Sequence, residues 1–290
     1  MSVRKEYEEY LKRQNKLKNT KTGKFWTEQE SRYVEPFCIY GNLYYVGDSW
    51  VCVHIVDTGD GLLMFDAGNC GGEAMLIQAI WEVGFRPNDV KWIVLSHGHV
   101  DHFGAVNFFR KMFGTKIYMG EPDCKMFRER PEFSMIHASG NCMNTLFPVD
   151  VEIQDGDVFE FGNTKIQFYL VPGHTEGCIC CFFDITDGRE KKRAGYYGGF
   201  GFNTLQKDFL QETGDPELQM RRKYLDSLKK VRNEHVDLFM GNHTSNIDLL
   251  DKRKRMKANP EENLFLDENA WQRYLDEKYV EMQNLIKSES

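Results

Sequence analysis

Four metal-competent side chains, His97, His99, Asp101 and His102, fall within six consecutive positions of this 290-residue chain. They follow directly on the apolar run Trp92-Ile93-Val94-Leu95, so the pattern predicts a buried strand that opens into a ligand-bearing loop. Three of the chain's 8 histidines lie here, which argues against a chance polar loop. Imidazole nitrogen and carboxylate oxygen make a ligand set suited to zinc, with no thiolate required. His97 and His99 can reach one ion from alternate positions of an extended turn, and Asp101 and His102 point elsewhere, towards a second.

Two later segments repeat the pattern. Val171-Pro172-Gly173-His174-Thr175 and Met240-Gly241-Asn242-His243-Thr244 each set one histidine after an apolar run. The expected arrangement is three plus three: His97, His99 and His174 on one zinc ion, Asp101, His102 and His243 on the other. Each ion keeps an open position for water, as a catalytic site requires. Iron and manganese also occupy such N/O sites, and the sequence leaves them open. Of the other histidines, His54 reads as a structural residue in an alternating strand and His235 as a surface residue. His137 lies in an aperiodic loop, a candidate for substrate contact or proton transfer. The 8 cysteines are scattered without a Cys-x-x-Cys pair, so core packing is expected even for the cluster Cys178, Cys180 and Cys181.

The elements around these segments alternate between strand and helix, the grammar of an α/β protein. Residues 1–35 read as a helix and an irregular arm anchored by Trp26 and Tyr33, and residues 36–290 as one domain. Hairpins are expected at 37–46, across Gly41-Asn42, and between 50–56 and 62–65. Helices are expected at 73–83, 105–113, 216–232 and 268–286. Further strands are expected to end at Leu95 and to cover 116–119, 158–161, 165–170, 178–184, 193–197 and 236–240. Residues 127–149 show no period and read as a lid-like loop carrying Phe127, Phe133, Met135, Met143 and Phe147. Strands followed by helices in each half suggest two sheets face to face, with helices outside both.

A net charge of -7, with only short basic runs at 191–193 and 252–255, argues against a nucleic-acid partner. No run is long enough to span a bilayer, and residues 1–18 contain no apolar signal core. A cytoplasmic protein acting on a small molecule, without a membrane partner, is therefore expected. Its oligomeric state is not set by these features.

The motif His97-x-His99-x-Asp101-His102, with Gly173-His174 and the late His243, resembles the metallo-β-lactamase superfamily. Residues 39–47, 84–87, 172–175 and 243–248 look most like the subclass whose second zinc is held by Asp and two His, without a cysteine. The resemblance implies a four-layer αββα sandwich with two zinc ions at one edge of the sheets. It also implies that Asp66 braces the 97–102 loop from beneath, the plain alternative being a helix N-cap. Two zinc ions would activate a water to open a cyclic amide, with Asp101 orienting it and relaying its proton. A lactone or ester of a hydrophobic metabolite is the second reading, and a metal-binding protein without turnover the third.

Two departures from the pattern bear on substrate. Many relatives bridge the metals with an Asp after the strand matching 193–197, where this chain has Gly198. Members of the resembling subclass carry substrate-binding serines where this chain has Gly199 and Gly201. These glycines leave space, and Phe200, Phe202 and Phe133 add apolar surface, so an apolar or aromatic substrate is expected to contact His137, Phe133, Phe200, Gly199 and Gly201. Packing of the loop against the body would explain the same aromatics equally well.

Overall fold

The computed structural model describes residues 2–19, 23–139 and 145–289. Met143 of the aperiodic loop lies outside them. The chain begins with α1 (Val3–Lys18) and α2 (Gly23–Thr27). A seven-stranded sheet follows, in the spatial order β1 (Phe37–Tyr40), β2 (Leu43–Tyr45), β3 (His54–Asp57), β4 (Leu62–Phe65), β5 (Val90–Val94), β6 (Lys116–Gly120) and β7 (Val151–Ile153). Its first four strands are antiparallel neighbours, and β4 to β7 run parallel. The crossovers carry α3 (Glu73–Glu82), α4 (Val106–Phe113) and α5 (Glu121–Glu129).

The second sheet contains β8 (Val158–Phe161), β9 (Thr164–Leu170), β10 (Ile179–Thr186), β11 (Lys191–Tyr197) and β12 (Leu238–Gly241), in the order β12-β11-β10-β9-β8. Between β11 and β12 lie α6 (Lys207–Glu212) and α7 (Gln219–Val231), and α8 (Leu249–Ala258) and α9 (Ala270–Ser288) complete the chain.

Alternation along the strands makes the layers. Val56, Leu63, Phe65 and Val94 face the second sheet, where Phe65 stacks on Phe183 at 5.4 Å. Their neighbours Ile55, Met64 and Ile93 face the other way, onto Leu76 and Ile80 of α3 and Val106 and Phe109 of α4. Beyond the second sheet, Phe182 and Phe239 pack on Trp271 of α9, whose indole N–H donates to Val231 O. Each such buried ring stabilises the fold by roughly 2–3 kcal/mol relative to exposure. The result is the four-layer αββα sandwich.

Several local expectations are revised. Residues 50–53 are not strand: the Asp48 carboxylate takes the N–H groups of Trp50 and Val51, and Cys52 N–H donates to Asn242 O. The buried pair Arg32–Asp48, 2.9 Å apart, ties this loop to the N-terminal arm. Trp26 meets Trp50 edge-on at 5.5 Å, whereas Tyr33 is 46% exposed and donates to Glu82 of α3. Part of the aperiodic stretch is ordered secondary structure: Phe127 lies within α5, and short 3-10 turns occupy Pro131–Ser134 and Ile136–Ser139. Phe127 and Phe147 are buried against Phe103 and each other. Among the described residues, no helix is long and apolar enough to cross a membrane.

Candidate metal centre

The ligand loop leaves the C-terminal end of β5 and is held by its own backbone. Leu95 N–H donates to Tyr118 O, Ser96 N–H to Asp66 Oδ1, Gly98 N–H to Asp123 Oδ2 and His102 N–H to His99 O. His174 lies in the turn between β9 and β10, which is closed by Val171 N–H on Cys178 O. His243 follows β12 and opens a 3-10 turn with Asn246, whose Oδ1 accepts the His243 N–H.

Four of the five histidines donate outward from Nδ1 to an acceptor that carries no proton. His97 donates to Gly198 O at 2.7 Å, His102 to Asp66 Oδ2 at 2.8 Å, His174 to Gly201 O at 2.9 Å and His243 to Trp50 O at 3.1 Å. These bonds fix the tautomers, so each Nε2 presents a lone pair inward. His99 is reversed, with its Nδ1 3.0 Å from both His97 Nε2 and His174 Nε2. Two groups have ligand atoms within 4.8 Å of one another: His97, His99 and His174, and His97, Asp101 and His102. His243 joins through Asp101, whose Oδ2 lies 3.6 Å from His243 Nε2 and 3.5 Å from His102 Nε2.

Converging lone pairs repel unless a cation sits among them. Burial first, then the neighbouring imidazoles, hold His97 and His99 well below the usual histidine range, and burial brings His174 to about 4. Burial also lowers His243. His102 is the exception: burial opposes its protonation, but Asp101 and Asp66 outweigh it and raise it. Burial would raise Asp101, yet His102 and His243 overcome that and keep its carboxyl low. His102 Nε2 is buried without a hydrogen-bond partner, a costly orphan that a cation beside Asp101 would satisfy. The residues therefore fit a divalent metal centre of nitrogen and carboxylate donors. Cys178 does not join them; burial pushes its thiol up to about 12, and its Sγ accepts the Thr175 N–H.

Asp66 lies beneath the ligand loop in a left-handed conformation, φ 61°. Its Oδ1 takes Ser96 N–H, and its Oδ2 takes both His102 Nδ1–H and the Tyr196 hydroxyl, at 2.9 Å. It caps no helix, since α3 starts after Gly72. Asp123, Tyr196, Asn242 and Trp50 escaped the sequence reading. Only Asn242 and Trp50 carried a local signal, Asn242 as neighbour of His243 and Trp50 as an aromatic in a polar loop.

The expected substrate contacts divide. Phe133 lines a groove of about 370 Å³ that starts at His99 and His174 and runs between Met126 on one side and Phe209, Leu210 and Met220 on the other. His137 is exposed and makes no described contact with the cluster. Phe200 is a core residue, stacked on Tyr197 at 4.2 Å and 5% exposed, because the chain turns inward after β11. Gly199 and Gly201 do not open space for substrate. A Cβ on Gly199 would lie 2.7 Å from Cys178 Sγ and 3.1 Å from His174 Cβ, and one on Gly201 2.9 Å from the His174 ring. Gly198 is equally confined, its Cβ position 2.5 Å from Ser96 O.

Residues 50–187 match the model of the Metallo-beta-lactamase superfamily, and the chain carries a domain of that superfamily. Its fold is that of solved metallo-β-lactamases. BJP-1, a subclass B3 metallo-β-lactamase of Bradyrhizobium japonicum, superposes with a TM-score of 0.77 at 22% identity, covering 90% of this chain and 97% of that one. Native FEZ-1, the metallo-β-lactamase from Legionella gormanii, likewise gives 0.77 at 24% identity, covering 89% and 97%. Among curated sequences, the hydroxyacylglutathione hydrolase GloC of Haemophilus influenzae is 32% identical over 111 residues, 38% of this chain and 50% of that protein. The chain spans half or less of the length of the curated relatives it matches first.

Proposed function

We propose that this protein is a di-zinc hydrolase that opens a cyclic amide, as a β-lactamase does. The observation that carries the reading is the clustering of His97, His99 and His174 and of His97, Asp101 and His102 in two groups of donor atoms that share His97. The five imidazoles in the set suit zinc better than manganese. His97, His99 and His174 would hold one ion and Asp101, His102 and His243 the other. Bound there, zinc supplies Lewis acidity towards a carbonyl and makes water acidic.

The chain's own residues supply the rest. Asp101 is 16% exposed, so its carboxylate could accept the proton of the attacking water and return it to the leaving nitrogen. The bonds from Gly198, Gly201, Trp50 and Asp66 to the four Nδ1 atoms hold the rings in place before substrate arrives. An apolar or aromatic small molecule fits between Met126 and Phe133 and the opposite wall of Phe209, Leu210 and Met220.

Hydrolysis of an ester-type bond is the second reading, favoured by the likeness to a hydroxyacylglutathione hydrolase and by Gly199 and Gly201, which offer no side chain to a substrate carboxylate. Zinc-loaded protein assayed against nitrocefin and a panel of lactones and esters separates the two. Nitrocefin turnover supports the first reading, and selective lactone or ester turnover the second. Inertness of fully metallated protein to the whole panel contradicts both and leaves a metal-binding protein without turnover.

A further inference from the structure

We propose that Asp123 is a positioning residue that sets the His97, His99 and His174 group in its metal-binding arrangement. The inference rests on reading the cluster as a metal centre. Asp123 belongs to the first turn of α5, yet its side chain does not cap that helix. It is fully buried and reaches into the two ligand loops. Oδ2 accepts the Gly98 N–H at 2.7 Å, between His97 and His99, and the Thr175 hydroxyl at 2.8 Å, directly after His174. Oδ1 accepts the Gly177 N–H at 2.9 Å. One carboxylate thus joins loops more than seventy residues apart and hydrogen-bonds none of the three ion-facing nitrogens.

The approach of α5 to these loops leaves no slack. A Cβ on Gly177 would sit 2.5 Å from Asp123 N, one on Gly120 2.2 Å from Gly177 O, and one on Gly98 3.3 Å from Asp123 Cβ. All three partners of Asp123 are donors, so the site is built for an acceptor-only side chain. An amide of the same shape turns one NH2 towards an N–H or O–H and loses at least one bond. Asp101, His102 and His243 receive no bond from Asp123, whose bonds reach only the segments that carry His97, His99 and His174.

The test is a double-mutant cycle read by calorimetric zinc titration of the metal-free protein. Asp123→Asn is expected to weaken one of two zinc equivalents by about 10–100-fold, the range for residues that orient metal ligands. It should add nothing in a His174→Ala background and should keep its full effect in a His243→Ala background. Equal effects in both backgrounds, or none in either, would overturn the proposal. Should Asp123→Asn fail to fold, Thr175→Val removes a single donor, and a several-fold loss confined to the same equivalent is expected; parent-like affinity there overturns the proposal too. A parent protein that takes up fewer than two equivalents contradicts the metal-centre reading itself, whereas a two-zinc parent with an indifferent Asp123→Asn contradicts this inference alone.

Discussion

His99 Nδ1 lies 3.0 Å from Nε2 of His174, a residue 75 positions further along the chain. His174 has already committed its Nδ1–H to Gly201 O, so its Nε2 can only accept. His97 Nε2, also 3.0 Å from His99 Nδ1, is in the same position because its Nδ1 donates to Gly198 O. One proton on His99 cannot serve both, and a shared cation can. His99→Ala is therefore expected to reduce turnover by at least about a thousandfold, since the ligands act as a unit. In the metal-free state its melting temperature should stay near that of the parent. The zinc-dependent gain in stability, about 4 kcal/mol for the parent at a thousandfold excess over Kd, should largely disappear. Thermal melts with and without zinc measure it.

Asp66→Asn should act on the other ligand group. The amide sets an NH2 against His102 Nδ1 and the Tyr196 hydroxyl, where the carboxylate accepts from both. The imidazole is then driven to carry its proton on Nε2, and the lone pair facing Asp101 is lost. A loss of about 10–100-fold in affinity for one zinc equivalent is expected, with a smaller loss for Tyr196→Phe. Zinc competition with a chromophoric chelator reads both.

Restoring a serine at Gly199 or Gly201 should harm the enzyme instead of improving it. The added Cβ meets Cys178 Sγ and His174 in the first case and Asn203 Oδ1 and the His174 ring in the second. Turnover of every substrate should fall together, with zinc affinity reduced. A gain on nitrocefin alone would show that the glycines act through substrate contact.

The clustered histidines were legible because each segment follows an apolar strand: His97 after β5, His174 after β9 and His243 after β12. The short apolar runs Ile55–Val56 and Leu62–Phe65 were readable as buried strands of a hairpin. Length and composition hid other elements. β7 has three residues, too few to show a period, and α5 offers only Cys124 and Phe127 as a buried apolar pair among charged neighbours. Asp123 and Tyr196 were invisible for a different reason. Their partners, Gly98 and Thr175 for one and Asp66 for the other, are brought to them by sheet packing that no local pattern encodes.

His54 gives a pH dependence. Burial brings it to about 4, only partly offset by its bond to Gly241 O, so it is neutral in the fold when it would be charged in the unfolded chain. Between pH 6.5 and about 4 the unfolded state binds the extra proton, so this contribution to stability is complete above pH 6.5 and is lost as pH falls. Its full size is about 3 kcal/mol. His54→Gln, which keeps a donor for Gly241 O, should show a shallower loss of stability than the parent between about pH 7 and 4.5. Urea unfolding of the metal-free proteins measures the difference.

Elemental analysis of protein equilibrated with buffered zinc and then freed of excess tests the binuclear centre most directly. Two zinc equivalents per chain are expected, falling to about one in His174→Ala and in His243→Ala. A single equivalent in the parent, or two that survive both substitutions, would contradict it.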